Sequence, residues 1–172
     1  MSISDLSRDP DPALESILAF IADIGIEVEY RQLNEETVLP GIDIKLGRLV
    51  IDSSRLKHPG DLLHEAGHIA VVPAAERAAL SSENIGARKD QAAEEMMAIA
   101  WSYAAALHIG IHPYVVFHEH GYHGGGKEIA DNFIEGRYFG VPMLEYTGMS
   151  EKEELNNTYR SLFPRMSRWT RE

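Results

Sequence analysis

The residues best suited to chemistry lie in a short segment of the first half of the chain. Residues 61 to 70 have the sequence Asp-Leu-Leu-His-Glu-Ala-Gly-His-Ile-Ala, which contains the pattern H-E-x-x-H at His64, Glu65 and His68. On a helix, residues four apart lie on one face, so both imidazoles can reach one metal ion. Glu65 lies beside them and can reach a metal-bound water without being a ligand. The spacing therefore predicts a zinc site with a general base, as in zinc peptidases.

A catalytic zinc ion takes three protein ligands and leaves one position open for water. The chain contains no cysteine, so every ligand must offer nitrogen or oxygen. The residues that follow the motif, Ile69 to Pro73, provide no third histidine. Glu94 and Glu95 stand near the start of a long apolar segment and are candidates for the third ligand. Both also suit the first turn of a helix, where acids complement the dipole, and the residues alone leave these alternatives open.

The surrounding pattern predicts the elements that position these residues. Apolar spacing and breakers predict helices over Pro12 to Ile24, Pro59 to Val72, Asp90 to His108 and Lys127 to Tyr138, a strand over Ile26 to Leu33, and a hairpin over Ile42 to Asp52 about Gly47. Gly140 to Gly148 is expected to be a loop, and a capping box at Ser150 to Glu153 predicts a last helix to about Phe163. Gly67 costs its helix about 1 kcal/mol relative to Ala, which indicates that another backbone approaches closely there.

The motif and its neighbours resemble the ImmA/IrrE family of small zinc metallopeptidases. The resemblance rests on His64-Glu-Ala-Gly-His68 after a hairpin, followed by Glu95-Met-Met-Ala98-Ile-Ala-Trp101-Ser, and it covers roughly Ile42 to Leu107. It implies a minimal zincin-like α+β fold, in which a small antiparallel or mixed sheet packs against the H-E-x-x-H helix and a long apolar helix. It also implies that Zn²⁺ is bound in the gluzincin manner by His64, His68 and Glu95. Ile99 and the end of the long helix depart from the family pattern.

The resemblance implies metal-assisted hydrolysis with Glu65 as the general base. The tetrahedral oxyanion needs a further donor, and in peptidases of this kind a downstream Tyr or His often supplies it. Residues 117 to 126 contain three His and one Tyr followed by three Gly, which is typical of a mobile loop. Tyr122 or His123 is therefore a candidate catalytic donor. A substrate contact, a second metal site and an exposed loop with incidental His remain alternatives.

Chain length and net charge limit the number of domains and the kinds of partner that we expect. A chain of 172 residues predicts one domain over 1–172, with a loose tail over 1–11. The formal net charge of −11 argues against nucleic acid and against an anionic membrane surface as partners. No segment is long and apolar enough to be a spanning helix, and no signal peptide is evident, so a cytoplasmic location is expected. His108 and His112 are expected to be structural.

Two functions follow from these features. The first is a zinc-dependent metallopeptidase, a hydrolase that cleaves a peptide bond in a protein or peptide. A regulatory protein is one substrate that would suit this function. The second is a non-catalytic zinc-binding interaction or sensor protein with a degenerate peptidase fold, in which the His-rich loop fills the open metal position. The oligomeric state and any activating partner do not follow from the sequence.

Overall fold

The computed structural model describes residues 11–34 and 36–172 and shows an α+β fold with a small mixed sheet. Strands β1 (Val28–Tyr30), β2 (Ile42–Lys45) and β3 (Arg48–Ile51) form this sheet in the order β1-β3-β2. β2 and β3 are antiparallel, with Ile42 opposite Ile51, and make the predicted hairpin. β1 is shorter than expected and runs parallel to β3. β2 is therefore an outer strand of this sheet.

One of the helices packs against this sheet, and together the helices supply most of the core. In the described part of the chain they are α1 (Pro12–Asp23), α2 (Asp61–Val71), α3 (Ala74–Arg77), α4 (Gln91–His108), α5 (Pro113–Val116), α6 (Gly126–Ile134) and α7 (Val141–Tyr146). α2 packs against β2 and β3 on one side and against α4 on the other. This central position explains why Leu62, Leu63 and Ile69 are completely buried. The H-E-x-x-H motif thus lies on a helix that is packed on two sides, by the sheet and by α4.

α2 and α4 approach each other closely at Gly67, as the sequence predicts. A Cβ atom at Gly67 would lie 3.0 Å from the carbonyl oxygen of Ala98 and 3.2 Å from Cε3 of Trp101. A residue with a side chain would push the two helices apart, because both neighbours are buried and held by their own helix. The glycine therefore sets the distance between the two helices that carry the candidate ligands.

The predicted last helix from Ser150 to Phe163 is wrong. The segment forms an antiparallel hairpin of β4 (Ser150–Leu155) and β5 (Thr158–Met166), with Leu155 opposite Thr158. Asn156 and Asn157 make the turn with φ values of 52° and 61°. Two successive residues with positive φ are what a type I′ turn requires, and asparagine tolerates this region better than most residues. The Asn-Asn pair thus outweighs the local capping-box pattern.

The predicted loop over Gly140 to Gly148 is also wrong, because α7 (Val141–Tyr146) occupies it. Pro142 lies in the first turn, where its missing N–H costs no hydrogen bond. Val141 and Leu144 are three residues apart and both buried, so the short helix presents one apolar face to the core.

Most of the expected N-terminal tail, residues 1 to 10, lies outside the described residues. Asp11 belongs to the fold, because its carboxylate accepts a 2.9 Å hydrogen bond from the backbone N–H of Ala13 and caps α1. None of the helices in the described ranges combines the length and the apolar character needed to cross a membrane.

Candidate metal centre

α2 presents two imidazoles to one point in space. His64 and His68 are four residues apart, so they lie one helical turn apart on the same face. Their Nε2 atoms are 3.1 Å apart. The side chains are largely enclosed, with exposed fractions of 12% for His64 and 9% for His68. Two imidazole nitrogens this close together can serve as two ligands of one metal ion.

α4 brings a carboxylate to the same point. Glu95 places Oε1 3.6 Å from Nε2 of His64 and Oε2 3.2 Å from Nε2 of His68. In the described part of the chain these three residues are the group able to hold a metal ion, with their ligand atoms all within 4.8 Å of one another. The three side chains predicted to be ligands are therefore brought together.

Glu94, the alternative third ligand, points elsewhere. Its two carboxylate oxygens accept hydrogen bonds of 2.7 and 2.8 Å from the guanidinium of Arg88, which also contacts Glu76. This two-point ion pair uses both oxygens of Glu94 and keeps it buried. The geometry separates the neighbouring glutamates into one that faces the imidazoles and one that anchors the loop before α4.

Burial and neighbouring charges give His64 and Glu95, but not His68, the protonation states that a metal requires. Burial, together with proximity to His68, lowers the pKa of His64 to about 3. Burial opposes the ionised form of Glu95, but the hydrogen bond with His68 and the charges of both histidines outweigh it and lower the pKa of Glu95. Burial likewise acts to lower the pKa of His68, but Glu95 and the nearby carboxylates raise it overall. His64 is therefore neutral and Glu95 ionised near neutral pH, as metal ligands are.

Glu65 lies between the candidate ligands in sequence and lines the same cleft. Burial raises the pKa of Glu65 to about 7, and the negative charge of Glu95 acts in the same direction against the influence of His68. A carboxyl group with a pKa near 7 can both accept and donate a proton at neutral pH.

The glycine-rich segment folds over the metal centre and brings Tyr122 to it. The Tyr122 ring makes an edge contact with the His64 imidazole, with the centroids 5.1 Å apart. Its hydroxyl is buried and has no hydrogen-bond partner among the described residues. Burial and the nearby carboxylates, led by Glu95, raise the pKa of Tyr122 well above its ordinary value, so the hydroxyl remains a donor. His123 is exposed at the mouth of the cleft, where it lines the wall without joining the cluster.

A contact that the sequence analysis missed holds this segment to α2. Oδ1 of Asp61 lies 2.7 Å from Nε2 of His118, and both side chains are largely enclosed. Asp61 stands one turn before His64, where an acid is equally typical of an ordinary helix start. Because Asp61 already has this local explanation, the sequence does not indicate its contact with His118. Tyr122 and His123, four and five residues beyond His118, have left-handed φ values of 54° and 55°.

The other two histidines singled out by the sequence have structural contacts, as expected. His108 packs against the rings of Phe20 and Trp169, with centroids 5.7 and 5.0 Å away. Nδ1 of His112 accepts a 3.2 Å hydrogen bond from the backbone N–H of Tyr114 and caps α5.

His64, His68 and Glu95 line a cleft of about 460 Å³. The cleft residues other than the candidate ligands, Glu65 and the loop are one acid and six aliphatic or small residues: Asp61, Val38, Leu39, Ile42, Ser82, Ile85 and Gly86. No protein-family model, curated protein or solved structure matches this chain. Its chemistry is therefore inferred from the residues around the cleft.

Proposed function

We propose that this protein is a zinc-dependent hydrolase of amide bonds, a metallopeptidase in its chemistry. The observation that carries the proposal is the convergence of His64, His68 and Glu95 from two helices at the base of an open cleft. Glu65 follows the first ligand directly and faces the same space. This combination provides three ligands, an accessible fourth position and a base, which are the components of a catalytic zinc site.

The donor set fits a tetrahedral ion. Bonds of about 2.1 Å to a tetrahedral zinc require ligand atoms about 3.4 Å from one another. The three separations here are 3.1, 3.2 and 3.6 Å, so small side-chain adjustments suffice. Two neutral nitrogens and one carboxylate are ligands that zinc accepts readily, whereas Mg²⁺ and Ca²⁺ prefer oxygen. The resemblance to the ImmA/IrrE family and the packing of α2 between the sheet and α4 support a zincin-like arrangement.

The chain's own residues divide the reaction between them. When bound, zinc lowers the pKa of water to about 7 and polarises the substrate carbonyl. Glu65 takes a proton from the attacking water as its oxygen bonds to the carbonyl carbon. Glu65 then gives that proton to the nitrogen as the C–N bond breaks. The raised pKa of Glu65 suits both transfers.

Tyr122 is suited to donate a hydrogen bond to the oxyanion. Its hydroxyl is buried, lacks a partner and lies on a ring packed against the ligand His64. A donor that is already held in place costs no reorganisation when charge develops on the substrate oxygen. Asp61 and His118 act as positioning residues, because their contact ties the beginning of this segment to α2.

The test combines metal content with turnover in three variants. We expect Glu65→Gln to bind one equivalent of zinc and to hydrolyse a mixed peptide library at least about 100-fold more slowly than the wild type. Glu95→Gln should lose zinc during dialysis. Glu94→Gln is the matched control: it changes the adjacent, identical side chain and should retain zinc and activity, although it weakens the pair with Arg88.

Some results of the same assay would contradict the proposal. A zinc-loaded wild type that hydrolyses no peptide, or Glu65→Gln with undiminished turnover, contradicts the catalytic role. The first result would favour the zinc-binding sensor expected as the alternative. Retention of zinc by Glu95→Gln would show that the ligand set is different.

A further inference from the structure

The outer edge of the three-stranded sheet borders the cleft, and three of its backbone groups have partners: the N–H groups of Ile42 and Ile44 and the carbonyl of Ile44. The backbone N–H of Ile42 donates to the carbonyl of Leu39 at 3.2 Å. The N–H of Ile44 donates to Oγ of Ser82 at 2.9 Å, and the N–H of Ser82 returns a 3.0 Å bond to the carbonyl of Ile44. Leu39, Ile42 and Ser82 all line the cleft. The edge that borders the cleft is thus partly covered at Ile42 and Ile44.

The covering segment continues past the end of the strand. The N–H of Gly47 donates to the carbonyl of Leu80 at 2.9 Å. Leu80 and Ser82 therefore bond to the outer side of β2 and to the turn that follows it. Covering an outer strand is a common protection against unwanted pairing. Beside a catalytic centre, the covering segment has a second consequence. It occupies backbone groups to which a substrate would otherwise form hydrogen bonds.

Extended peptides commonly bind by adding a strand to a free sheet edge, and the main-chain hydrogen bonds supply the affinity. Leu80 and Ser82 occupy part of such an edge here. A substrate must therefore be held by its side chains and by the groups around the scissile bond. This favours a small substrate over an internal segment of a long chain.

The remaining walls indicate which side chains fit. Val38, Leu39, Ile42 and Ile85 give the cleft four aliphatic lining residues. Its volume of about 460 Å³ lies in the lower half of the range for sites that enclose small molecules, roughly 300–1,000 Å³. Val38 lines the cleft and has 93% of its surface exposed, so a substrate in the cleft can reach its side chain.

We propose that the cleft hydrolyses short amides with an apolar side chain next to the scissile bond, of dipeptide or tripeptide size. This inference rests on the proposed hydrolase function and narrows its substrate class. Water adds to the carbonyl carbon, the C–N bond breaks, and the products are a carboxylate and an amine. Extended protein segments are poor substrates because part of the sheet edge is already paired.

The experiment compares one Leu-Leu bond in a dipeptide, a tripeptide and the centre of a decapeptide, using the zinc-loaded full chain. We expect kcat/KM for the short peptides to exceed that for the central bond of the decapeptide at least about tenfold. Equal or faster cleavage of the decapeptide overturns the inference. Replacing both leucines by aspartate should also lower kcat/KM about tenfold, and an unchanged value contradicts a role for the aliphatic lining residues.

Binding to zinc-loaded Glu65→Gln separates this inference from the proposed function. Titration calorimetry should show binding of the Leu-Leu dipeptide and at least about tenfold weaker binding of the decapeptide. If the same order holds while the wild type cleaves nothing, the hydrolase proposal fails and the inference about ligand size and chemistry stands. If the decapeptide binds as tightly as the dipeptide, or if neither binds, the inference fails.

Two exposed aliphatic residues provide a matched pair of variants. Val38 lines the cleft, whereas Leu46 lies in the turn between β2 and β3, is 69% exposed and does not line the cleft. We expect Val38→Asp to lower kcat/KM for the Leu-Leu dipeptide about tenfold and Leu46→Asp to leave it unchanged. If the two variants are equally active, the aliphatic residues of the cleft do not contribute to substrate recognition. Both positions are on the surface, so both variants should fold.

Discussion

The hydroxyl of Tyr122 is buried beside His64 without a hydrogen-bond partner in the described structure. A buried donor that makes no bond is unfavourable for folding, so its retention suits a partner that arrives with the substrate. We expect Tyr122→Phe to lower kcat about 100-fold, the usual effect of removing one oxyanion donor. The same change should leave the free energy of unfolding unchanged or raise it by about 1 kcal/mol.

The two effects of Tyr122→Phe are measured by steady-state kinetics and urea unfolding on the same zinc-loaded preparation. Tyr146→Phe is the control, because Tyr146 is 88% exposed and lies away from the cleft. Full activity in Tyr122→Phe would contradict the donor role. A clear loss of stability would show that the hydroxyl already has a partner in the folded chain.

At the scale of single residues, the sequence predicts which side chains cluster better than it predicts the contacts that support them. His64 and His68 follow from helical spacing alone, and Glu95 required the resemblance to distinguish it from Glu94. Nothing in the order of residues places His118 against Asp61, which is 57 positions earlier in the chain. Contacts between distant residues depend on how the elements pack, and an acid at the start of a helix already has a local explanation.

The distance between α2 and α4 decides whether Glu95 can reach the two histidines, and Gly67 sets that distance. Alanine at position 67 would gain about 1 kcal/mol in helix propensity. Its Cβ would also lie 3.0 Å from the Ala98 carbonyl oxygen, and relieving such contacts typically costs about 1–3 kcal/mol. We expect Gly67→Ala to lower the free energy of unfolding by about 1 kcal/mol and to weaken zinc binding about tenfold.

Urea unfolding without metal and zinc competition with a chelating dye check the two parts of this prediction. Gly86→Ala is a suitable control for stability, because a Cβ there would meet nothing within 4 Å. If Gly67→Ala is more stable than the wild type and binds zinc normally, helix packing does not explain the glycine.

Elements were predictable where one local pattern dominated. The turn at Gly47 and the apolar spacing of residues 62 to 70 each indicate one structure, and the hairpin and α2 form as predicted. The segment from Ser150 carries two conflicting patterns, a capping box and an Asn-Asn turn. The turn prevails because β4 and β5 pair without a break from Leu155–Thr158 to Lys152–Ser161, which gives a hydrogen-bonded ladder next to the turn that a mostly exposed helix would not improve.

At the scale of the whole molecule, the C-terminal residues close the core against the first helix. The Trp169 ring contacts Phe20 of α1 and Trp101 of α4, with centroids 4.9 and 5.8 Å away. Its carbonyl accepts a 2.9 Å hydrogen bond from Nε1 of Trp101, and the N–H of Arg171 donates to the carbonyl of Ala70 at 2.8 Å. Composition gave no indication of this closure, because it depends on where the chain returns after β5.

This closure predicts that the C-terminal segment contributes to the stability of the whole fold. Trp169 is half-buried, so Trp169→Ala should lower the free energy of unfolding by about 2 kcal/mol, less than the 3–5 kcal/mol typical of a fully buried tryptophan. Trp169→Phe keeps a ring against Phe20 and should lose about 1 kcal/mol. Tyr146→Ala, at an exposed aromatic, should change the free energy by no more than about 0.5 kcal/mol.

Urea unfolding followed by fluorescence and by far-ultraviolet circular dichroism measures these values. Because Trp169 joins α1 to α4, we expect both probes to show one transition with an unchanged slope in each variant. A Trp169→Ala chain as stable as Tyr146→Ala would mean that residues 169 to 172 lie on the core without supporting it. Separate transitions for the two probes would mean that α1 and the C-terminal segment unfold independently of the sheet and α2, and that the metal centre does not depend on them.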